Sequence, residues 1–364
     1  MEKMCVKIPA SPAGEYEILI GSGILDDSLI SDFAGKKRVM IVSDENVERA
    51  GILKDINLSD GWEKFIISPA GEISKNITTV TSIIEQMETA AMGRDSVIVG
   101  IGGGTVGDMA GFAAAIFKRG IPVLHIPTTT VAQADSSIGG KTGVDSTKSK
   151  NAYGCFWQPS GVIIDVQTLK TLDERQYRSG LVESIKHALI MDSGYFEFFE
   201  SNIGNLLMRE DNTLITLAQY NCRIKASVVE QDPTEKNLRR ILNYGHTIGH
   251  AVETLSDYTL YHGECVAVGI VGASMIEQKI GIGTAERTSR IKDVLLALSQ
   301  PVEIPAEYEL DAMIDIIRRD KKAVDGWPRF ALIEEVGKAY CKDGQWAHPV
   351  NIDTVTEVIK ELYG

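Results

Sequence analysis

Near residue 175 the chain changes its hydrophobic period, and this constrains the fold more than any other feature. Upstream, short β-branched runs alternate with helical patterns; downstream the strand signal fades and helical patterns remain. Segments 38–43, 64–67, 96–101, 122–126 and 162–165 are bounded apolar runs of strand length. Between the second and third of these, Val80, Ile83, Ile84 and Met87 mark one face of an amphipathic helix. Such alternation predicts a mostly parallel sheet with covering helices. Ahead of it, 6–8 and 16–20 flank Pro9, Pro12 and Gly14, a pattern that predicts a small hairpin. Beyond 175, the segments 177–200, 211–231, 245–256, 264–281, 284–298 and 309–320 are expected helices. No repeat, low-complexity stretch or long linker separates the two halves.

The most telling loop lies in the first half. Gly102-Gly-Gly-Thr-Val-Gly107 follows a strand and opens the helical pattern of 106–117. Glycines there let the backbone approach a pyrophosphate, and the helix N-terminus stabilises its charge. The acidic residue usual about twenty positions later is missing, because that region is itself a strand. The ribose must then be met by another loop: Asp44 after the strand at 38–43, or the polar loop holding Glu72 and Lys75. The expected architecture is α/β. A Rossmann-like, mostly parallel N-terminal domain spans 1–175, an all-α C-terminal domain spans 176–364, and the active site sits in the cleft between them.

The second half carries most of the imidazole. Three of the six histidines, His246, His250 and His262, fall within seventeen positions. His246 and His250 stand four apart, on one face of an expected helix, a spacing that offers nitrogen to a divalent metal. A long polar segment after the strand at 122–126 adds Pro127-Thr-Thr-Thr130, Asp135-Ser-Ser-Ile-Gly-Gly-Lys-Thr142 and Lys148-Ser-Lys-Asn151. Lys141 follows two glycines there, so its ammonium can be aimed at an anion. With Arg119, these groups suggest a phosphate pocket.

Composition excludes other classes. A formal charge of −13 argues against nucleic acid or an anionic membrane as partner, since both need a basic face. The N-terminal residues show no signal-peptide core, and the near-apolar run 265–276 is too short to span a bilayer. Five cysteines, odd in number and without a CxxC pair, point to a reducing, cytoplasmic setting.

Taken together, the motifs resemble those of the 3-dehydroquinate synthase family of sugar-phosphate cyclases. The resemblance rests on Gly102-Gly-Gly-Thr-Val-Gly-Asp108, Asp135-Ser-Ser-Ile-Gly-Gly-Lys-Thr-Gly143, Gly180-Leu-Val-Glu-Ser-Ile-Lys186, Leu238-Arg-Arg-Ile-Leu-Asn-Tyr-Gly-His246, His262-Gly-Glu264 and Asp320-Lys-Lys322. It implies a lyase that converts 3-deoxy-D-arabino-heptulosonate 7-phosphate to 3-dehydroquinate and phosphate, in the shikimate route to aromatic amino acids. The implied cofactors are catalytic NAD⁺ and Zn²⁺, with Co²⁺ as an alternative. On the family pattern Glu183, His246 and His262 hold the metal, and His250 becomes a proton-transfer residue. Lys225, Arg239 and Asn243 match carboxylate contacts; Lys141, Asn151 and one or both of Lys321 and Lys322 match phosphate contacts. Asp135 and Lys186 match residues around the substrate hydroxyls. Asp44, Glu72, Lys75, Gly103, Gly104, Thr105, Asp108, Thr128, Thr129, Lys141, Lys150 and Asn151 fall at or beside NAD contacts. Arg119 matches an arginine that reaches the neighbouring site of a homodimer. The competing expectations are another sugar-phosphate cyclase, or a metal- and NAD-dependent polyol dehydrogenase.

Overall fold

The computed structural model describes residues 14–54, 56–257, 259–318 and 329–363. In chain order the first half runs β1 (Glu17–Gly21), α1 (Asp27–Ala34), β2 (Arg38–Asp44), α2 (Glu45–Arg49), β3 (Trp62–Ile67), α3 (Ile77–Thr89), β4 (Ser96–Gly102), α4 (Gly104–Ile116) and β5 (Val123–Pro127). A hairpin of β6 (Lys141–Val144) and β7 (Tyr153–Phe156) precedes β8 (Gly161–Asp165). Six strands form one sheet in the order β1-β8-β5-β4-β2-β3, all parallel.

Period-two alternation explains why this sheet is covered on both faces. Met40, Val42 and Ile98 point to one side, against α3 and α4. Val39, Ile41, Val97 and Val99 point to the other, where α1 supplies Ile30 and Ala34. The chain moves outward from β2 to β3, returns through α3 to β4, then continues the opposite way to β5. The strand order therefore switches direction between β2 and β4, and a crevice opens at their C-terminal ends, where Asp44 and Gly102 lie.

The expected hairpin at 6–8 and 16–20 is corrected. Its second arm is β1, which pairs in parallel with β8 at the sheet edge, Glu17 opposite Gly161. Ile18 and Ile20 pack on the helical core and Leu19 on the sheet core, burial that an isolated two-stranded hairpin would not provide. Residues 6–8 lie outside the described residues. The polar segment after β5 is also more ordered than its composition suggests. It contains a π-helical turn at Ala132–Ser136 and the antiparallel β6–β7 hairpin.

The second half runs α5 (Glu174–Met191), α6 (Ser193–Leu207), α7 (Asp211–Gln231), α8 (His246–Leu255), α9 (His262–Lys279), α10 (Ala285–Ala297) and α11 (Leu310–Arg318). The single helix expected over 177–200 is two, because Asp192 is extended and its side chain caps Tyr195 N–H at 3.0 Å. The expected all-helical composition is broken by four strands of two or three residues: β9 (Arg329–Phe330), β10 (Ile333–Glu335), β11 (Lys338–Ala339) and β12 (His348–Pro349). A last helix, α12 (Ile352–Leu362), buries Val355, Val358, Ile359 and Leu362 on one face. The run at 265–276 is the interior of α9, buried at nearly every position.

Close approach of α5, α8 and α9 depends on two glycines. A Cβ on Gly263 would fall 1.8 Å from the Ser179 carbonyl oxygen, so glycine is what lets the start of α9 lie on α5. One on Gly269 would fall 1.9 Å from the Gly245 carbonyl oxygen, which fixes α9 against the start of α8.

Candidate active site

Three helices, α5, α8 and α9, each present one side chain to a common point: Glu183, His246 and His262. Their donor atoms all lie within 4.8 Å of one another. Glu183 Oε1 is 3.6 Å from His246 Nε2 and 3.6 Å from His262 Nε2. Ligands held about 2.0–2.2 Å from one tetrahedral ion stand roughly 3.3–3.6 Å apart, so the spacing fits a metal. Two further observations agree. Glu183 Oε1 is buried with no hydrogen-bond partner, a costly state that a cation would relieve. His246 Nδ1 lies 3.1 Å from the Tyr244 carbonyl oxygen, and donating to it leaves Nε2 with its lone pair toward Glu183.

Electrostatics act unequally on the same donors. Burial would raise the Glu183 pKa, but Lys186, His246 and His262 hold it well below the carboxylate range. Burial keeps His246 well below the usual histidine value, hence neutral and able to ligate. Burial also disfavours charge on His262, but its contacts with Glu183 and Glu253 outweigh this and push it up to about 9, so a metal ion must displace the proton from Nε2 to bind there. Lys186, one turn along α5, donates to the second oxygen of Glu183.

On one side of this triad lies a cavity of about 460 Å³ lined by Asp44, Gly103, Gly104, Thr105, Thr128, Thr129 and His262. It opens at the β2/β4 switch point, with the α4 N-terminus at its edge. A Cβ on Gly103 would meet Thr129 at 3.1 Å and one on Gly104 would meet Ser136 at 3.0 Å, so side chains at either position would crowd the loop against these two neighbours. The residues present thus fit a dinucleotide. Nearby, Lys75 is buried and paired with Asp108 at 2.7 Å, while Thr105 donates to Glu72 at 3.2 Å.

On the other side lies a cavity of about 490 Å³ lined by Asp108, Asp135, Lys141, Asn151, Lys225, Glu235, Arg239, Asn243 and His246. Asp135 sits on the π-turn and accepts from Lys225 of α7. Lys225 is pushed down to about 8, chiefly by burial and with Arg239 and Lys186 nearby, although Asp135 opposes the shift. Arg239 is 1% exposed. Its Nη1 donates to the carbonyl oxygens of Gly139 and Pro233, but Nε and Nη2 are buried without partners. A guanidinium held this way is an anion site.

Most residues singled out from sequence therefore gather around one triad, and some do not. Arg119 lines neither cavity: it follows the C-terminal end of α4, opposite the glycine loop. Lys321 and Lys322 lie outside the described residues. Lys150 bridges rather than lines, standing 3.8 Å from Glu72 and 3.6 Å from Glu253. His250 sits one turn beyond His246, their rings edge-on with centroids 5.2 Å apart. Two acids were missed. Glu235 meets Lys141 and Asn243, and its left-handed backbone left no sequence signal. Glu253 faces His262, and its place in the series 246, 250, 253 on α8 could have revealed it.

Comparison with known proteins points the same way. The 3-dehydroquinate synthase N-terminal profile matches residues 65–179, and the 3-dehydroquinate synthase C-terminal profile matches 180–323. A 3-dehydroquinate synthase from Geobacter metallireducens is 46% identical over 328 residues, 88% of this chain and 91% of that one. Among solved structures, a 2-epi-5-epi-valiolone synthase from Streptomyces hygroscopicus with NAD⁺ and Zn²⁺ bound superposes with TM-score 0.86 at 26% identity, covering 98% and 99% of the two chains. A 2-deoxy-scyllo-inosose synthase complexed with carbaglucose-6-phosphate, NAD⁺ and Co²⁺ gives 0.84 at 28% identity, covering 94% and 96%.

Proposed function

This chain belongs to the 3-dehydroquinate synthase family, and from that premise we propose that it converts 3-deoxy-D-arabino-heptulosonate 7-phosphate to 3-dehydroquinate and inorganic phosphate. It is a carbocycle-forming lyase of the shikimate route. The observation that carries the reading is the Glu183–His246–His262 triad, whose histidines line the two cavities, one glycine-edged and one holding Lys141, Lys225 and Arg239.

Glu183, His246 and His262 would hold a divalent ion, Zn²⁺ or Co²⁺, and NAD⁺ would take the glycine-edged cavity. When bound, the ion acidifies a substrate hydroxyl and the nicotinamide accepts and later returns a hydride, so neither is consumed. The chain's own residues do the rest. Arg239, Lys225 and Asn243 bind the substrate carboxylate, for which a guanidinium offers a bidentate partner. Lys141 and Asn151, with one or both of Lys321 and Lys322, grip the phosphate and offset charge as it leaves. His250 removes the proton from the hydroxyl to be oxidised. Asp135 and Lys186 orient the neighbouring hydroxyls. Asp44, Glu72, Lys75, Asp108, Thr105, Thr128, Thr129 and Lys150 serve the dinucleotide, directly or by holding its loops.

The reading extends to a homodimer in which Arg119 completes the neighbouring site, to domains at 1–175 and 176–364, and to a cytoplasmic setting. Cys155, Cys222, Cys265 and Cys341 are free thiols, and among the described residues no helix is long and apolar enough to cross a membrane. Sugar-phosphate cyclases whose substrates lack a carboxylate are disfavoured by the buried Arg239, two of whose three nitrogens have no partner. Purified protein given NAD⁺, Zn²⁺ and the heptulosonate phosphate should release phosphate without accumulating NADH. Steady NADH formation from a simple polyol, with no phosphate release, would defeat the assignment.

A further inference from the structure

We propose that Glu253 is the positioning residue of the metal centre, its carboxylate fixing His262 in the orientation that turns Nε2 toward Glu183. The proposal rests on the assignment of Glu183, His246 and His262 as ligands. The two imidazoles are not held alike. His246 lies inside the start of α8, its side chain 12% exposed, with Nδ1 committed to the Tyr244 carbonyl. His262 is the first residue of α9 and its side chain is 34% exposed, so packing alone does not set its ring. What faces its Nδ1 is Glu253 Oε1 at 3.5 Å, while Nε2 faces Glu183 Oε1 at 3.6 Å.

A neutral imidazole has one N–H, and its two nitrogens here address two carboxylates. Ligation through Nε2 requires the proton on Nδ1, and Glu253 is placed to accept it. The carboxylate therefore does for His262 what the Tyr244 carbonyl does for His246, and its charge also makes the ring a stronger donor. Glu253 is itself anchored. It rides on α8, seven residues beyond His246, and the same Oε1 lies 3.6 Å from Lys150 Nζ, which also reaches Glu72 beside the glycine-edged cavity.

The test is zinc affinity of the metal-free full-length protein, measured by competition with a chromophoric chelator using Zn²⁺ alone. Glu253→Met and Glu253→Ala should each weaken binding about 10–100-fold, the usual effect of removing such a partner. Glu253→Gln, which keeps an acceptor oxygen, should recover part of the loss. Co²⁺ bound to the Met variant should show a shifted d–d spectrum, a change that a purely structural helix residue would not produce. Folding of each variant is checked by thermal melting, and two substitutions of different size guard against one failing to fold. Zinc affinity within twofold of the parent in a folded Met or Ala variant overturns the proposal. So does a parent protein that takes up two equivalents and loses only the second on mutation, because Glu253 would then be a ligand, with His250 and His262, of a separate site. His246→Ala separates the levels: tight zinc binding retained there would sink the ligand assignment itself, whereas its loss beside an unaffected Glu253→Met would sink only this proposal.

Discussion

Replacing Arg239 with methionine should separate recognition from stability. The guanidinium is among the largest fully buried side chains, and two of its nitrogens have no partner. An incoming carboxylate would supply two charge-assisted hydrogen bonds, each contributing about 1.5–3 kcal/mol. Their loss therefore costs about 3–6 kcal/mol in substrate binding, or roughly 10²–10⁴-fold at about 1.4 kcal/mol per decade. Folding should respond far less. Methionine loses the two bonds to the Gly139 and Pro233 carbonyls, of the same order, but also removes two orphaned nitrogens that cost about 1–3 kcal/mol each. These nearly offset, so the unfolding free energy should move by no more than about 2 kcal/mol. Phosphate release over a substrate series gives KM, equilibrium NAD⁺ binding serves as a control, and urea unfolding gives the stability change. A KM raised less than threefold, with stability lost by more than about 4 kcal/mol, would show that Arg239 is a structural strut and refute the reasoning.

His250→Ala should keep its zinc and lose turnover by about 10²–10⁴-fold, the worth of a general base, whereas His246→Ala should lose both; metal analysis beside kcat decides. Because Lys225 is pushed down to about 8, it is cationic below that pH and neutral above, so kcat/KM should fall as pH rises through about 8. A profile flat to high pH would remove Lys225 from the carboxylate site. Glu277→Ala would strip Arg287 of the carboxyl it meets at 2.6 Å and leave it only the Glu334 carbonyl, and should cost about 1–3 kcal/mol in urea unfolding; a loss under about 0.5 kcal/mol would mean that water reaches the site. Mixing inactive Arg119→Ala with inactive His246→Ala subunits should restore some activity if Arg119 acts across a dimer, and no recovery after verified exchange argues against a shared site.

The sheet was legible because its signal is local. Five apolar runs mark five of its six strands, and the alternation of Val39, Met40, Ile41 and Val42 already encodes two covered faces. The sixth strand, β1, was assigned to the wrong partner because parallel pairing with β8, more than a hundred residues away, has no local signature. The β6–β7 hairpin hid behind the paired glycines Gly143 and Gly154, which pack backbone to backbone and show no apolar alternation. For the site, the imidazole spacing located α8. Glu183 carries no comparable local mark: buried in the middle of α5 between Val182 and Ser184, it was reached through the family motif. Glu235 acts through contacts made only after folding, so nothing near it in sequence distinguished it from a solvated acid, whereas Glu253 shared the helical face of His246 and His250 and was legible in their spacing.

Gly263 and Gly269 contribute no donor atom, yet the distance between α5, α8 and α9 depends on them. Coordination geometry here is a property of interhelical contact: the ligands inherit their spacing from residues whose only chemical attribute is the hydrogen they carry in place of a side chain. A chelating motif copied as Glu183, His246 and His262 alone onto another helical scaffold would carry the ligands but not the interaxial distances that bring them to 3.6 Å. Transplanting this centre means transplanting its backbone-to-backbone contacts as well.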